Sequence, residues 1–124
     1  METKELMIGD KVMVKVLSQI PDTYVLHTWT SNDYSRDIQV KHIPLTSEIL
    51  EKNGFAKVNT QRYEWTGSNG YYVNVNPQKK MWHINGANGS NVNQYFLIVG
   101  FNVHRFQQAL RLCGLIDLAD NFKV

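Results

Sequence analysis

The chain has 124 residues, a net charge of +2, and 43% hydrophobic against 19% charged residues, a balance that excludes a wholly disordered protein and fits one domain. No apolar run approaches the roughly 20 residues of a membrane-crossing helix. Residues 1–5 include two acids and lead to no long apolar stretch, so we expect no secretory signal there. The lone cysteine, Cys113, excludes an internal disulfide and favours a reducing, cytoplasmic setting. The net charge is too small to require a nucleic-acid or membrane partner.

Residues 8–45 predict an N-terminal run of short β-strands. In the first segment every second residue is a valine, so Val12, Val14 and Val16 share one face. Two further segments rich in strand-forming residues follow, at 24–29 and from Ile38. A Gly-Asp-x-Val opening before such strands is typical of small SH3-like barrels.

Residues 46–54 carry the signals of a short helix over about 46–53. Thr46 is a good N-cap, since its hydroxyl can accept a hydrogen bond from an otherwise unpaired amide. Glu48 suits the positive end of the helix dipole, and Gly54 suits the left-handed position that ends a helix.

Residues 55–101 predict an antiparallel β-meander. The candidate strands are 55–58, 63–65, 71–75 and 81–84. Alternation places Tyr71, Val73 and Val75 on one face of the third strand, and Tyr72, Asn74 and Asn76 on the other. The Asn- and Gly-rich stretch 85–91 predicts a loop, and the apolar run 95–99 predicts a strand covered on both faces.

Residues 102–114 predict a second helix over about 103–113, capped by Asn102 and ended by Gly114. Its apolar stripe consists of Val103, Phe106, Leu110 and Cys113. The tail from Leu115 onward is expected to add a short turn or an edge strand. The whole pattern predicts one α+β domain, 1–124, of antiparallel strands with two short helices.

Two segments carry a family resemblance. Residues 43–55 read I-P-L-T-S-E-I-L-E-K-N-G-F, and residues 103–114 read V-H-R-F-Q-Q-A-L-R-L-C-G. With the Ile-Gly-Asp opening at 8–10, they resemble a family of small proteins from Bacteroidetes and from their phages and mobile elements, in which a leucine takes the place of Phe106. The resemblance implies a phage or prophage context in the bacterial cytoplasm. It implies no activity and no site residues.

Motifs of catalysis and metal binding do not stand out in the sequence. The four histidines lack the spacing of a zinc site, and no paired cysteines, phosphate loop or nucleophile elbow is present. Cys113 lies near a helix end on the apolar stripe, where burial and the helix dipole disfavour a reactive thiolate. His104, near the helix start, is expected to be neutral and locally hydrogen-bonded. We therefore expect a protein that is not an enzyme and uses no metal or cofactor.

Most of the aromatic residues lie between the two predicted helices, together with four cations and a single acid, Glu64. They can build the core of the meander, which is the favoured interpretation, or they can stack on a ligand. The core interpretation does not account for the face of Tyr72, Asn74 and Asn76. These side chains offer adaptable hydrogen bonding. The candidate ligand-binding residues are Arg62, Tyr72, Asn74, Asn76, Lys79, Lys80, Trp82, His83 and Asn88.

The favoured hypothesis is a non-catalytic binding protein, encoded by a phage or mobile element, that holds a small nucleotide-like ligand or a host protein. The alternatives are a single-stranded nucleic-acid-binding module and a structural or assembly component that forms a homo-oligomer. An enzyme built from a distant acid and histidine comes last, and no membrane partner is expected.

Overall fold

Two antiparallel β-sheets and three α-helices form the fold in the computed structural model, which describes residues 5–16, 23–35, 38–87, 89, 91–95 and 100–124. The small sheet contains β1 (Lys11–Val16), β2 (Val25–Thr28) and β3 (Ile38–Lys41). The large sheet contains β4 (Ala56–Asn59), β5 (Arg62–Thr66), β6 (Tyr72–Asn76), β7 (Met81–Asn85) and β8 (Asn91–Tyr95). The helices are α1 (Ser47–Lys52), α2 (Val103–Leu112) and α3 (Ile116–Asp120). The α+β class predicted from the sequence is confirmed.

Two sequence predictions fall outside the described residues. Asn88, a candidate ligand-binding residue, is one, and the 96–99 part of the predicted apolar strand is the other. Both stay predictions.

The small sheet has the order β2-β1-β3 and confirms the predicted N-terminal strand run. The valine alternation buries Val12 and Val14, which pack with Leu6, Trp29 and Val40 in a cluster of their own. A second, larger cluster lies between the large sheet and the helices.

The large sheet is a meander in which each strand pairs with the next along the chain. In β6 and β7 alternate side chains point to the helices, so Val73, Val75, Trp82 and Ile84 are buried. The face assignment predicted from the alternation of 71–76 is therefore confirmed.

The predicted loop 85–91 is too long. Asn85 and Asn91 are the last pair of the β7–β8 ladder, and β8 begins at Asn91 rather than at Tyr95. Asparagine is depleted in strands, and its side chains in β8 face outward, so neither composition nor apolar alternation marks this strand in the sequence.

Both helices predicted from capping signals are present. The Thr46 hydroxyl accepts a hydrogen bond from the Ile49 amide (3.3 Å), and the Asn102 side chain accepts one from the Arg105 amide (3.1 Å). Each cap satisfies one of the amides that a helix start leaves unpaired.

The chain after α2 forms the short helix α3. Of the two predictions for this tail, the edge strand is therefore wrong, and the short turn is closer to the observed structure. Its register places Ala119 in the core and brings Phe122 against Phe106, with ring centroids 5.6 Å apart. Only five residues make this helix, and tertiary packing rather than helix propensity stabilises elements of that length.

Phe106 is the centre of the main core. Its ring lies 5.0 Å from Trp82 of β7 and 6.0 Å from Phe55, measured between centroids. Aromatic contacts at this spacing add to the stabilisation that burial of apolar area already gives. α2 is thereby held on one face of the large sheet.

A buried polar cluster joins α2 to the start of β1. Gln107 is fully buried, accepts a hydrogen bond from the Lys11 amide (2.8 Å) and donates one to the Gly9 carbonyl (3.1 Å). Arg111 donates to the buried carboxylate of Asp10 (2.5 Å). Buried polar groups favour one arrangement when their partners are in place, so this cluster fixes the small sheet against α2.

His104 is buried in the first turn of α2, and neither of its ring nitrogens has a hydrogen-bond partner. Desolvation by burial lowers its pKa from 6.5 to about 4. The prediction of a neutral imidazole is confirmed, whereas the predicted local hydrogen bond is wrong. No helix within the described residues is long and apolar enough to span a membrane.

We expect the free energy of unfolding to decrease as the pH falls from about 6.5 towards about 4. In this window the unfolded chain binds a proton at residue 104 that the folded chain does not, and the full loss is roughly 3 kcal/mol. Urea unfolding at several pH values measures it. His104→Leu should lose less stability over the window, whereas His83→Gln, at a half-exposed histidine of β7, should keep the loss. Parallel loss in wild type and His104→Leu would contradict the assignment.

Candidate functional site

The face of the large sheet that points away from the helices forms a regular polar grid. Strand register fixes two complete rows across β5, β6, β7 and β8. They are Glu64–Asn74–His83–Asn93 and Thr66–Tyr72–Asn85–Asn91. Every side chain in these rows is at least partly exposed. We call this surface the outer face.

A shallow cavity of about 310 Å³ lies on the outer face, at the lower end of the range for small-molecule sites. Four of the sequence-predicted residues line it, namely Arg62, Asn74, Asn76 and His83. The sequence analysis missed Gln61, Met81 and Asn93, which also line it. The period-2 pattern could have found Met81, because it shares the face of His83 in the predicted strand 81–84. Asn93 lies in β8, which no pattern in the sequence marks.

Asn74 is the least satisfied polar group of the cavity. Its Oδ1 is buried and has no hydrogen-bond partner. Glu64 and His83 are its cross-strand neighbours. Leaving a buried acceptor unpaired is unfavourable by about 1–3 kcal/mol, so a rotation of this side chain that lets Oδ1 accept from a ligand N–H or O–H group would be favourable.

The imidazole of His83 is held in place on two sides. Its Nε2 lies 2.5 Å from Oδ1 of Asn91. The ring of Tyr72 meets it edge-on, with centroids 5.4 Å apart and planes at 82°. Both rings are half-exposed and form a preset aromatic wall, of which only His83 lines the cavity, whereas Tyr72 supports it from outside the lining.

Positive charge gathers at one end of the outer face. Arg62 opens β5 there and forms an ion pair with Glu64 on the same strand (3.2 Å), in which both side chains are partly exposed. Lys79 and Lys80 lie in the β6–β7 turn at the same end and are exposed, but neither lines the cavity. The turn is fixed by Asn76, whose Oδ1 accepts a hydrogen bond from the Lys79 amide (3.0 Å).

Trp82 does not belong to the outer face, so the expectation that it joins the candidate site there is wrong. It precedes His83 in the strand and therefore points to the opposite side, where it is 1% exposed and packs on Phe101 and Phe106. Its indole N–H donates to Gln94 (2.8 Å). The ring that the sequence offered as a stacking surface is part of the core.

Cys113 and the His27–Asp33 pair are groups of the types that take part in catalysis, and the structure gives each of them a structural role. Cys113 is buried, and desolvation raises the pKa of its thiol, so it stays protonated at neutral pH. His27 contacts the buried carboxylate of Asp33 (2.6 Å), which also accepts a hydrogen bond from the Thr30 amide (2.7 Å). Among the residues described, no three metal-binding side chains of His, Cys, Asp or Glu come together.

In comparisons by sequence and by structure, no family model, no curated protein and no solved structure matches this chain.

Two substitutions on β6 should change stability in opposite directions. Asn74→Val removes an unpaired buried acceptor and adds a strand former, so we expect a gain of about 1 kcal/mol. Asn76→Val removes the hydrogen bond to the Lys79 amide, so we expect a loss of about 1 kcal/mol. Urea unfolding of both variants measures the difference. Equal losses in the free energy of unfolding would show that Oδ1 of Asn74 already has a hydrogen-bond partner in the folded protein.

Proposed function

We propose that the protein is a non-catalytic binding protein that holds a small, nucleotide-like ligand in the cavity of the outer face. The observation that carries the proposal is Asn74, whose Oδ1 is buried without a hydrogen-bond partner, between Glu64 of the Arg62 ion pair and the imidazole of His83. A protein surface with no ligand to bind gains nothing from such a group, because pairing or replacing it would increase stability.

The guanidinium of Arg62 suits the anionic part of the ligand. It presents several N–H donors in a plane, a geometry that matches a phosphate. Its present partner is Glu64, and an ion pair as exposed as this one stabilises a protein little. A phosphate can therefore replace Glu64 on Arg62 at small cost, with Lys79 and Lys80 adding positive potential nearby.

The remaining groups suit a polar ring. His83 gives a ring that Tyr72 fixes in place from outside the cavity, and Asn74 and Asn93 give carboxamides, which are both donors and acceptors. Met81 adds an apolar contact in the same cavity. A base with its phosphate meets each of these groups, whereas a purely apolar ligand leaves the carboxamides unpaired.

Binding rather than reaction is supported by the chemistry of the cavity. Apart from His83, its lining consists of carboxamides, a guanidinium and apolar side chains. None of these groups takes up or releases a proton near neutral pH. The proposal therefore contains no step in which a bond is made or broken.

The same face is the candidate surface for the alternatives. A single-stranded nucleic acid would use the aromatic wall and the cations, but its affinity would fall steeply with salt. A host protein or a second copy of the chain would cover the outer face, and such a partner does not require a negatively charged group that binds Arg62. We propose the bacterial cytoplasm as the setting, and the phage or mobile-element origin rests on the sequence resemblance alone.

Calorimetric titration with nucleoside triphosphates and with the matching nucleosides at low salt tests the proposal. We expect the triphosphates to bind more tightly than the nucleosides, and Arg62→Gln to weaken triphosphate binding by roughly tenfold, as for loss of one charged hydrogen bond. Glu64→Gln should strengthen triphosphate binding several-fold, since it frees Arg62. Lys52→Gln and Glu51→Gln, a cation and an acid exposed on α1, are the matched controls and should bind as wild type does.

Three outcomes count against the proposal. The first is no binding of any nucleotide at millimolar concentration. The second is binding that the substitutions of Arg62 and Glu64 leave unchanged. The third is tight binding only to oligonucleotides with a steep salt dependence, which favours the nucleic-acid alternative.

A further inference from the structure

A second cavity, of about 330 Å³, lies away from the outer face, between the β5–β6 connection and the α2–α3 corner. Its walls include Trp65 and Tyr71 from the hairpin, and Leu115, Asp117 and Leu118 from the corner. None of its lining residues lines the first cavity. The proposed function leaves this cavity without a role.

The aromatic wall of the second cavity is preset by a glycine. At Gly67 a Cβ atom would come within 2.7 Å of the Trp65 ring, so any other residue there would force the indole to shift. The Gly67 amide donates to the Tyr71 carbonyl (2.8 Å), which closes the loop that carries the second ring. Both rings are half-exposed and pack partly against the core.

A carboxylate stands beside these rings. Asp117 is exposed, and within the described chain its side chain takes part in none of the hydrogen bonds or ion pairs, unlike Asp120 of the same helix, which pairs with Arg111 (3.1 Å). Leu115 and Leu118 on either side of it are buried and half-buried. The cavity thus combines two aromatic rings, apolar walls and one uncompensated negative charge.

We propose that this second cavity binds an alkylated ammonium group, with the Trp65 and Tyr71 rings and the Asp117 carboxylate as its binding residues. The faces of aromatic rings attract cations, and tryptophan does so best. A quaternary ammonium has no N–H to donate and is bulky and weakly hydrated, so rings and apolar walls with one nearby carboxylate satisfy it. A nucleotide fits poorly, because Asp117 would repel its phosphates.

Tryptophan fluorescence gives a direct measurement of binding. Of the three tryptophans, Trp29 and Trp82 are 0% and 1% exposed, so a ligand in this cavity reports through the half-exposed Trp65. Titration with choline should change the emission saturably. The neutral isostere 3,3-dimethylbutan-1-ol, which has the same shape without the charge, should bind at least roughly tenfold more weakly.

Matched variants separate the charge from the rings. Asp117→Asn should weaken choline binding several-fold, while Glu51→Gln, an exposed acid on α1, should leave it unchanged. Trp65→Phe should abolish the fluorescence change and weaken binding measured by calorimetry. If Trp65→Phe fails to fold, as judged by its thermal unfolding, the comparison of Asp117→Asn with Glu51→Gln still decides.

The source of the ammonium group is distinguished by a second ligand. A short peptide with one trimethyl-lysine, compared with the same peptide carrying leucine there, shows whether a modified protein fits better than a free small molecule. Equal binding of choline and its neutral isostere, or wild-type affinity in Asp117→Asn, would overturn the proposal. Because the two cavities share no residue, failure here leaves the outer-face proposal standing, and the reverse also holds.

Discussion

The contact between Phe106 of α2 and Trp82 of β7 decides which face of the large sheet is buried. With their centroids 5.0 Å apart, these rings hold the helix against the sheet, and Phe55 and Phe122 complete the contact. Side chains alternate along a strand, so fixing Trp82 inward places its neighbour His83 outward. The same register then aligns Glu64, Asn74 and Asn93 with His83 in one open row.

The outer face is built in a way that stability alone does not explain. Asn74 has a buried acceptor with no partner, and Arg62 is compensated only by an exposed pair with Glu64. By contrast, the polar groups on the helix side are well paired, as Gln107 and Asp10 show. Among the described residues, the other buried polar atoms without a partner are the two ring nitrogens of His104 and Nη2 of Arg111, both in α2, and the indole nitrogen of Trp29. Of these atoms, Oδ1 of Asn74 is the one that belongs to a residue of the cavity on the outer face.

Much of this arrangement could be predicted from local patterns. Capping residues give α1 and α2, and alternation gives the two faces of β6. The sequence could not show that Trp82 lies in the core, because aromatic residues suit a core and a binding surface equally well until a partner such as Phe106 is placed. β8 escaped prediction because its asparagines disfavour strands. α3 depends on its packing against α2, and the cluster of Gln107 with Gly9 and Lys11 depends on contacts about 100 residues apart. Local patterns encode neither.

The central claim is that the outer face of the large sheet receives a small anionic ligand. The most direct measurement is a titration of ¹⁵N-labelled protein with a nucleoside triphosphate, followed by ¹H–¹⁵N correlation spectra. We predict saturable shifts in the side-chain amide signals of Asn74, Asn76 and Asn93 and in the backbone amides of β5, β6 and β7. Signals of α2 should stay in place. Spectra that do not change, or shifts confined to the helices, would contradict the account.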